Sequence, residues 1–552
     1  MQHRRTLIAM AAALALPAAQ AFDFDSGDPD TRIRLDFTAK YSLGYRVKNP
    51  SSALTAFNPG VDPGTINEDD GDKNFRKGLI SNRVDLLSEF DVATTYGGLR
   101  ISGTGFYDRV YRRANDNDGN PPANNEPGQA ANAFLPATRT QHGADAQLLD
   151  AFAYLKGDLG AGVAGTVRLG KHTLQYGESL FFGQNGIANA QGPVDIAKIL
   201  SVPGWQFKEV LLPVEQVSTS VQLRPGLSVG GYYQFKWRPS RIPGVGSYFS
   251  NQDYVGTGVT YLGPQVLVHD GDHDITPKNS GQGGLQARWT PAGSEFEFGF
   301  YAARYHDKTP SAIVFDVVNS RVNTAYAQGI NTFGASVTSS QGQLNWAVEA
   351  SIRTNTPLNS DPAIVAGVPC QNSGSETCYA VGKTAHINVS GIYVLQASPL
   401  WGGGVMLAEL AWNRALSTTH GPASTLAAGG TVDPNTTRDA FAMRALFAPT
   451  YFQVLSQLDL TVPIALGYNF GGRSRAIGNF AGGASKAGDI SLGLQAKYEQ
   501  VWTAQLNFTH YLGTAATFTQ TLVPGAGAPR QLSFGQTLKD RDYVALSVQR
   551  TF

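Results

Sequence analysis

Long apolar runs are missing once the first 21 residues are passed. No stretch of about 18 apolar residues follows Phe22, which rules out helical membrane spans. Charge of one sign is missing too. The 43 basic residues balance 43 acidic ones, so the electrostatic footprint of a nucleic-acid binder is not there. Charged residues make up only 16% of the 552-residue chain. Two cysteines are too few for a disulfide scaffold, and neither has the further ligands a metal site needs. There is no dinucleotide loop, phosphate loop or metal-ligand set, so no cofactor is expected. Linkers and low-complexity tracts are also lacking, which argues for one continuous domain despite the length.

The first 21 residues read MQHRRTLIAMAAALALPAAQA. Arg4 and Arg5 give a positive start, Leu7 to Leu16 an apolar centre, and Ala19-Gln20-Ala21 a small-residue cleavage site. This pattern predicts a secretory signal peptide over 1–21 and a mature chain, 22–552, beginning at Phe22. In an exported chain Cys370 and Cys378, which flank the loop-like QNSGSET, are expected to form a local disulfide on an exposed loop.

The main signal is alternation. From Arg32 to Lys48, Ile33, Leu35, Phe37, Ala39, Tyr41, Leu43, Tyr45 and Val47 fall on one face. Arginine, aspartate, lysine, threonine and serine fill most of the other, because strand side chains point to opposite faces in turn. The run far exceeds the ~5–6 residues usual for a soluble strand and suits a tilted strand crossing a membrane. The pattern recurs at Leu227–Arg238, Gln343–Arg353 and Trp502–Thr509. Very short links (Gly97-Gly98, Pro225-Gly226, Ala292-Gly293, Gly342, Gln500) alternate with long polar ones such as 49–77 and 240–281. These features predict an all-β, closed antiparallel transmembrane barrel of about 18 strands, with 16 as the alternative count. The terminal RDYVALSVQRTF resembles the signal read by the bacterial barrel-insertion machinery, although Arg550 stands on its apolar face.

Such a barrel turns Arg34, Asp36, Lys40, Arg83, Asp85, Glu89 and Asp91 inward, around a lumen wide enough for water. One stretch breaks the alternation. GPVDIAKILSVPGWQFKE, residues 192–209, has helix-like spacing at Val194, Ile196, Ile199 and Leu200, closed by Pro203-Gly204. It lies within a longer interruption, 177–213. So dense an apolar content is costly to leave in water as an ordinary surface loop, so the segment is predicted to fold inward as a constriction. Glu178, Asn185, Asp195, Lys198 and Glu209 would fix it to the charged wall. Phe181, Phe182, Ile196, Ile199 and Trp205 would face the solute.

GKHTLQYGESLFFGQNGIANAQGPVDIAKILSVPGWQFKEVLLPVEQ, followed by YYQFKWRPSRIPGVGSYFSNQDYVG, resembles the Domain of Unknown Function 1302 family. The Gly177-Glu178-Ser179 and Pro193-Val194-Asp195 elements carry much of the likeness, with Tyr176 and Gly192 where the family usually has Trp and Asn. The resemblance implies a Gram-negative outer-membrane protein in contact with lipid and lipopolysaccharide. It also implies a setting beside an exported periplasmic protein and a resistance-nodulation-division type transporter, serving the use of hydrophobic compounds.

Catalytic and metal patterns are weak. Gly226-Leu227-Ser228-Val229-Gly230 matches a nucleophile elbow in letters only, since it continues as a strand rather than turning into a helix. His269–Asp274, Glu68–Asp72 and Asp116–Asn120 lack full ligand spacing and read as solvated turns. The function expected is therefore a channel or uptake protein for small, hydrophobic or amphipathic molecules. The alternatives are an outer-membrane enzyme of lipase or protease type, or a docking protein for a periplasmic or transporter partner.

Overall fold

A computed structural model describes residues 22–55, 63–158, 160, 162–263, 267–520 and 530–552. The signal-peptide segment 1–21 lies outside the described residues. The chain forms a closed antiparallel β-barrel of 18 strands. In chain order these are β1 Arg32–Arg46, β2 Gly78–Ala93, β3 Gly97–Asp108, β4 Ala144–Asp158, β5 Ala164–His172 and β6 Val214–Arg224. Next come β7 Leu227–Gln234, β8 Gln282–Trp289, β9 Phe296–Tyr305, β10 Ile330–Gln341, β11 Leu344–Pro357 and β12 Val381–Leu395. The last six are β13 Gly403–His420, β14 Asp439–Leu455, β15, β16 Ala487–Tyr498, β17 Trp502–Leu512 and β18 Tyr543–Thr551. Strand β15 is split into Leu458–Thr461 and Ile464–Gly472 at Pro463, whose missing N–H interrupts a ladder.

Each strand pairs with its neighbour, and β18 closes on β1 with Lys40 opposite Gln549. Closure leaves no barrel edge to template aggregation. Just below the seam, Phe22–Phe24 adds a short strand against Ile33–Leu35, and the Phe552 amide donates to the Phe37 carbonyl at 2.8 Å.

The burial is that of a soluble protein turned inside out. In β1 and β2, Lys40, Ser42, Arg83, Asp85 and Glu89 are buried, while Tyr45, Leu79, Val84 and Leu86 are exposed. In β11 the parity is the same: Glu349, Ser351 and Arg353 inside, Ile352 outside. The inward charges neutralise one another, as at Arg83–Asp85 (2.7 Å) and at Arg100 with Glu89, Asp91 and Asp150. Arg550 stacks on Trp502 and Phe552, 5.0 and 4.6 Å from the ring centroids, which gives the cation on the apolar face a place. Trp237, read as part of an alternating strand, already belongs to the loop after β7 and donates its indole N–H to the Asp307 carbonyl.

Short turns close one end of the barrel and long loops the other. The long loops pack on each other. Strands Thr260–Leu262, Leu267–His269, Ala312–Asp316, Arg321–Ala325 and Ala363–Val365 form a second sheet. Cys370 and Cys378 are joined as a disulfide. They do not sit on an exposed loop. Both are buried with Val314, Val365 and Tyr379, because the neighbouring loops supply the apolar cover. Maleimide treatment of intact cells should therefore leave the protein unlabelled, and a mild reductant should not make it label quickly. Rapid labelling without reductant would contradict both the bond and its cover.

Candidate functional site

Between β5 and β6 the chain leaves the wall and re-enters the lumen, crossing it from 173 to 213. Its first half docks on β8 to β13. The Glu349 carboxylate accepts the backbone N–H groups of Glu178 and Ile187, each at 2.6 Å. Glu409 accepts those of Phe181 and Phe182, the latter at 2.9 Å. Arg353 donates to the carbonyls of Gln184 and Gly186 at 2.8 and 2.9 Å. Wall side chains thus satisfy backbone groups that have no ladder of their own. The approach is so close that a Cβ at Gly177 (φ 91°) would lie 2.3 Å from Glu349 Oε2, and one at Gly186 would lie 2.7 Å from its Oε1. The positive φ makes glycine required at Gly177, while at Gly186 a side chain would have to push the Glu349 carboxylate aside.

Glu178 pairs with Arg288 at 2.9 Å and accepts from the Tyr301 hydroxyl at 3.2 Å. Asn185, almost wholly buried, donates to Asn388 Oδ1 at 2.7 Å, and its oxygen faces His386 and Asn413.

The second half contains two short helices, α1 Ile196–Ser201 and α2 Phe207–Val210. Asp195 caps α1 by accepting the Lys198 amide at 2.8 Å, the role an N-cap aspartate performs, and faces Arg241 at 3.7 Å. Gln206 and Glu209 form a capping box on α2. This half rests on the opposite wall. Lys40 reaches Glu209 (3.6 Å) and the Gly204 carbonyl (3.4 Å), and Lys208 pairs with Glu89. The Lys198 amine is buried without a hydrogen-bond partner.

The apolar residues separate into two sets. Phe182 packs on Phe480, 6.1 Å between centroids, in a cluster with Ile477. That contact with the loop at 473–486 covers part of the ring, which is half-buried. Phe181, Ile196 and Ile199 are half-buried. Trp205, 37% exposed, and Phe207, 54% exposed, lie between Gly204 and Lys208, both of which touch the inner wall. These two rings are the uncovered apolar surface of the insert.

Glu349, Glu409 and Phe207 were missed from the sequence. The only signal for the carboxylates was a lone acid midway along the polar face of a strand. One loop reading changes, and in the other two a single residue is buried while Asp116, Asp118, Asp272 and His273 stay exposed. Glu68, Asp69, Asp70 and Asp72 are buried rather than solvated, because loops from distant positions fold over them. Asn117 is buried beside them. His269 is buried too, with its ring nitrogens 2.9 and 3.0 Å from the carbonyls of Val322 and Gly256. Ser228 sits in β7 opposite Arg288, not on an elbow. Two histidines meet hydroxyls: His172 Nε2 is 2.7 Å from Ser218 Oγ, and His386 Nε2 is 2.7 Å from Thr384 Oγ1. All four residues are buried.

Comparison with solved structures finds barrels of similar extent at low identity. The outer membrane protein opdK from Pseudomonas aeruginosa is 10% identical with a TM-score of 0.38, covering 94% of this chain and 98% of that one. A BenF-like porin from Pseudomonas fluorescens Pf-5 is 9% identical with a TM-score of 0.41, covering 95% and 98%. OccAB2 of Acinetobacter baumannii is 10% identical with a TM-score of 0.39, covering 94% and 98%. At such values the likeness decides nothing about this chain. No curated protein matches it. A model described as a protein of unknown function (DUF1302) matches residues 3–552, and the chain belongs to that family.

Proposed function

We propose that the protein is an outer-membrane channel whose lumen is narrowed by the insert at 177–213 and which passes small hydrophobic or amphipathic molecules. The exposed apolar band of the barrel suits lipid, where backbone groups must be paired internally and only a closed sheet or a helix meets that demand. The observation that carries the reading is the insert itself. It is held at both walls by charged and polar contacts and leaves Trp205 and Phe207 uncovered between them. Solute sites commonly pair an apolar surface with a few placed polar groups, and here Lys40, Lys208 and Glu89 flank the rings. On this reading lipopolysaccharide and lipid surround the barrel, and a periplasmic protein or transporter receives the solute.

Deleting Gln191 to Gly204 tests the narrowing. In planar bilayers the variant should show a conductance severalfold above wild type and weaker size selection, with strand-dominated circular dichroism retained. A deletion that assembles but conducts like wild type would reduce the insert to a passive segment. The solute class is tested separately. The double variant Trp205→Ala, Phe207→Ala should slow entry of a hydrophobic probe into liposomes by about thirtyfold, two lost apolar contacts of ~1 kcal/mol each, while a small sugar is unaffected. A double variant that passes the hydrophobic probe at the wild-type rate would remove the hydrophobic part of the proposal.

A further inference from the structure

The loops above the barrel bury a group of carboxylates whose charges are unevenly answered. Asp72 meets Arg46 and Arg541, each at 2.9 Å, and Glu68 meets Arg530 at 3.3 Å. Asp69, Asp70 and Asp253 have no such partner. One oxygen from each lies within 4.8 Å of the others, and all three residues are at most 3% exposed. Among the described residues no Lys or Arg nitrogen lies within ion-pair distance of them.

Asp70 has two hydrogen-bond donors, the Asn124 amide at 2.9 Å and the Asn117 side chain at 3.4 Å, and the Asp70 amide donates to Asp253 Oδ2 at 3.2 Å. Asp69 has none: neither carboxylate oxygen meets a donor, although the residue is wholly buried. Oδ1 of Asp253 is likewise unmet, and so is the side-chain oxygen of the neighbouring, buried Asn124. Unmatched buried carboxylate costs far more than an unmatched neutral group. The unmet atoms of Asp69, Asp253 and Asn124 are all oxygens, the donor type of a hard cation.

We propose that Asp69, Asp70 and Asp253 bind a calcium ion that ties the 63–74 loop to the 247–255 loop above the barrel. Calcium suits the site better than magnesium. The donors are anionic protein oxygens from separate loops at irregular spacing, whereas magnesium holds to a strict octahedron and keeps several waters.

Equilibrium dialysis against radioactive calcium, on full-length protein purified in detergent and freed of lipopolysaccharide, reads the site directly. One ion per chain is expected, with a dissociation constant of about 10⁻⁴–10⁻³ M as in extracellular modules. Asp69→Asn and Asp253→Asn keep side-chain shape and should weaken binding at least tenfold. The lumen and its conductance should be unchanged in both. Should neither variant assemble, terbium luminescence on wild type decides instead, since added calcium should quench it with the same constant. Wild type that binds no calcium overturns the proposal, and so does folded Asp69→Asn that binds as tightly as wild type.

Discussion

Replacing Glu349 and Glu409 by alanine together should release the insert and raise single-channel conductance severalfold. Four backbone N–H groups, those of Glu178, Phe181, Phe182 and Ile187, end on these two carboxylates. Each would be left without its acceptor, at ~1–3 kcal/mol apiece when no water replaces it. The losses share one segment and will not simply add, but all four fall on the stretch that docks on β8 to β13. Neither glutamate faces outward, so heat-modifiable migration on gels should be retained. Glu349→Gln keeps one acceptor oxygen and should fall between wild type and the double variant. A double variant with intact barrel and wild-type conductance would show that the first half of the insert is held by something other than these carboxylates.

The second large effect is expected at Asp72. It lies between two buried guanidinium groups, Arg46 and Arg541, which are 0% and 1% exposed. Asp540 also meets Arg46 at 3.0 Å, but among the described residues Arg541 hydrogen-bonds, besides Asp72, only to the backbone carbonyls of Tyr248 and Ser250. Asp72→Ala therefore strands a buried cation, a loss of ~3–5 kcal/mol when one partner of a buried pair is removed. The damage should stay local, because loops open at lower free energy than the sheet beneath them. Limited proteolysis should cut the variant within 67–75 and 247–255 at least tenfold faster than wild type, with the barrel core uncut. Equal cutting rates would show that the network is not what holds these loops.

Much of the barrel could be read from the chain because the relevant information is local. Ile33 to Val47 alternate with charged residues one by one, and a period of two needs no knowledge of distant partners. The same holds for α1, where Asp195 before Ile196–Ser201 is a capping signal. Parity also placed Lys40, Arg83 and Asp85 inside. It did not say what stands opposite them. Glu349 and Glu409 look like any other polar wall residue until Gly177 and Gly186 bring backbone against them, across some 160 to 230 positions of sequence. Phe182 and Phe480 lie farther apart still. The acidic run at 68–72 reads as a wet turn because Asp253 and Arg541, which bury it, are written elsewhere. Local composition shows that these loops are polar, whereas their mutual packing is a tertiary fact.

The insert leaves the chain after β5, but the wall it needs comes from β8 to β13, with its other support on β1 and β2. Synthesis and export deliver it early, and its seat is made late. The first half of the segment must therefore wait for its seat while eight of the 18 strands, β6 to β13, are added, with its unpaired amides in need of shelter. The β1–β18 seam then closes around an occupied interior, so ring closure and seating of the crossbar are coupled steps. A chain cut after β7 would carry the whole segment yet lack the wall on which its first half docks. The timing of assembly, as much as the finished contacts, thus bears on how such a segment persists in a protein built of strands.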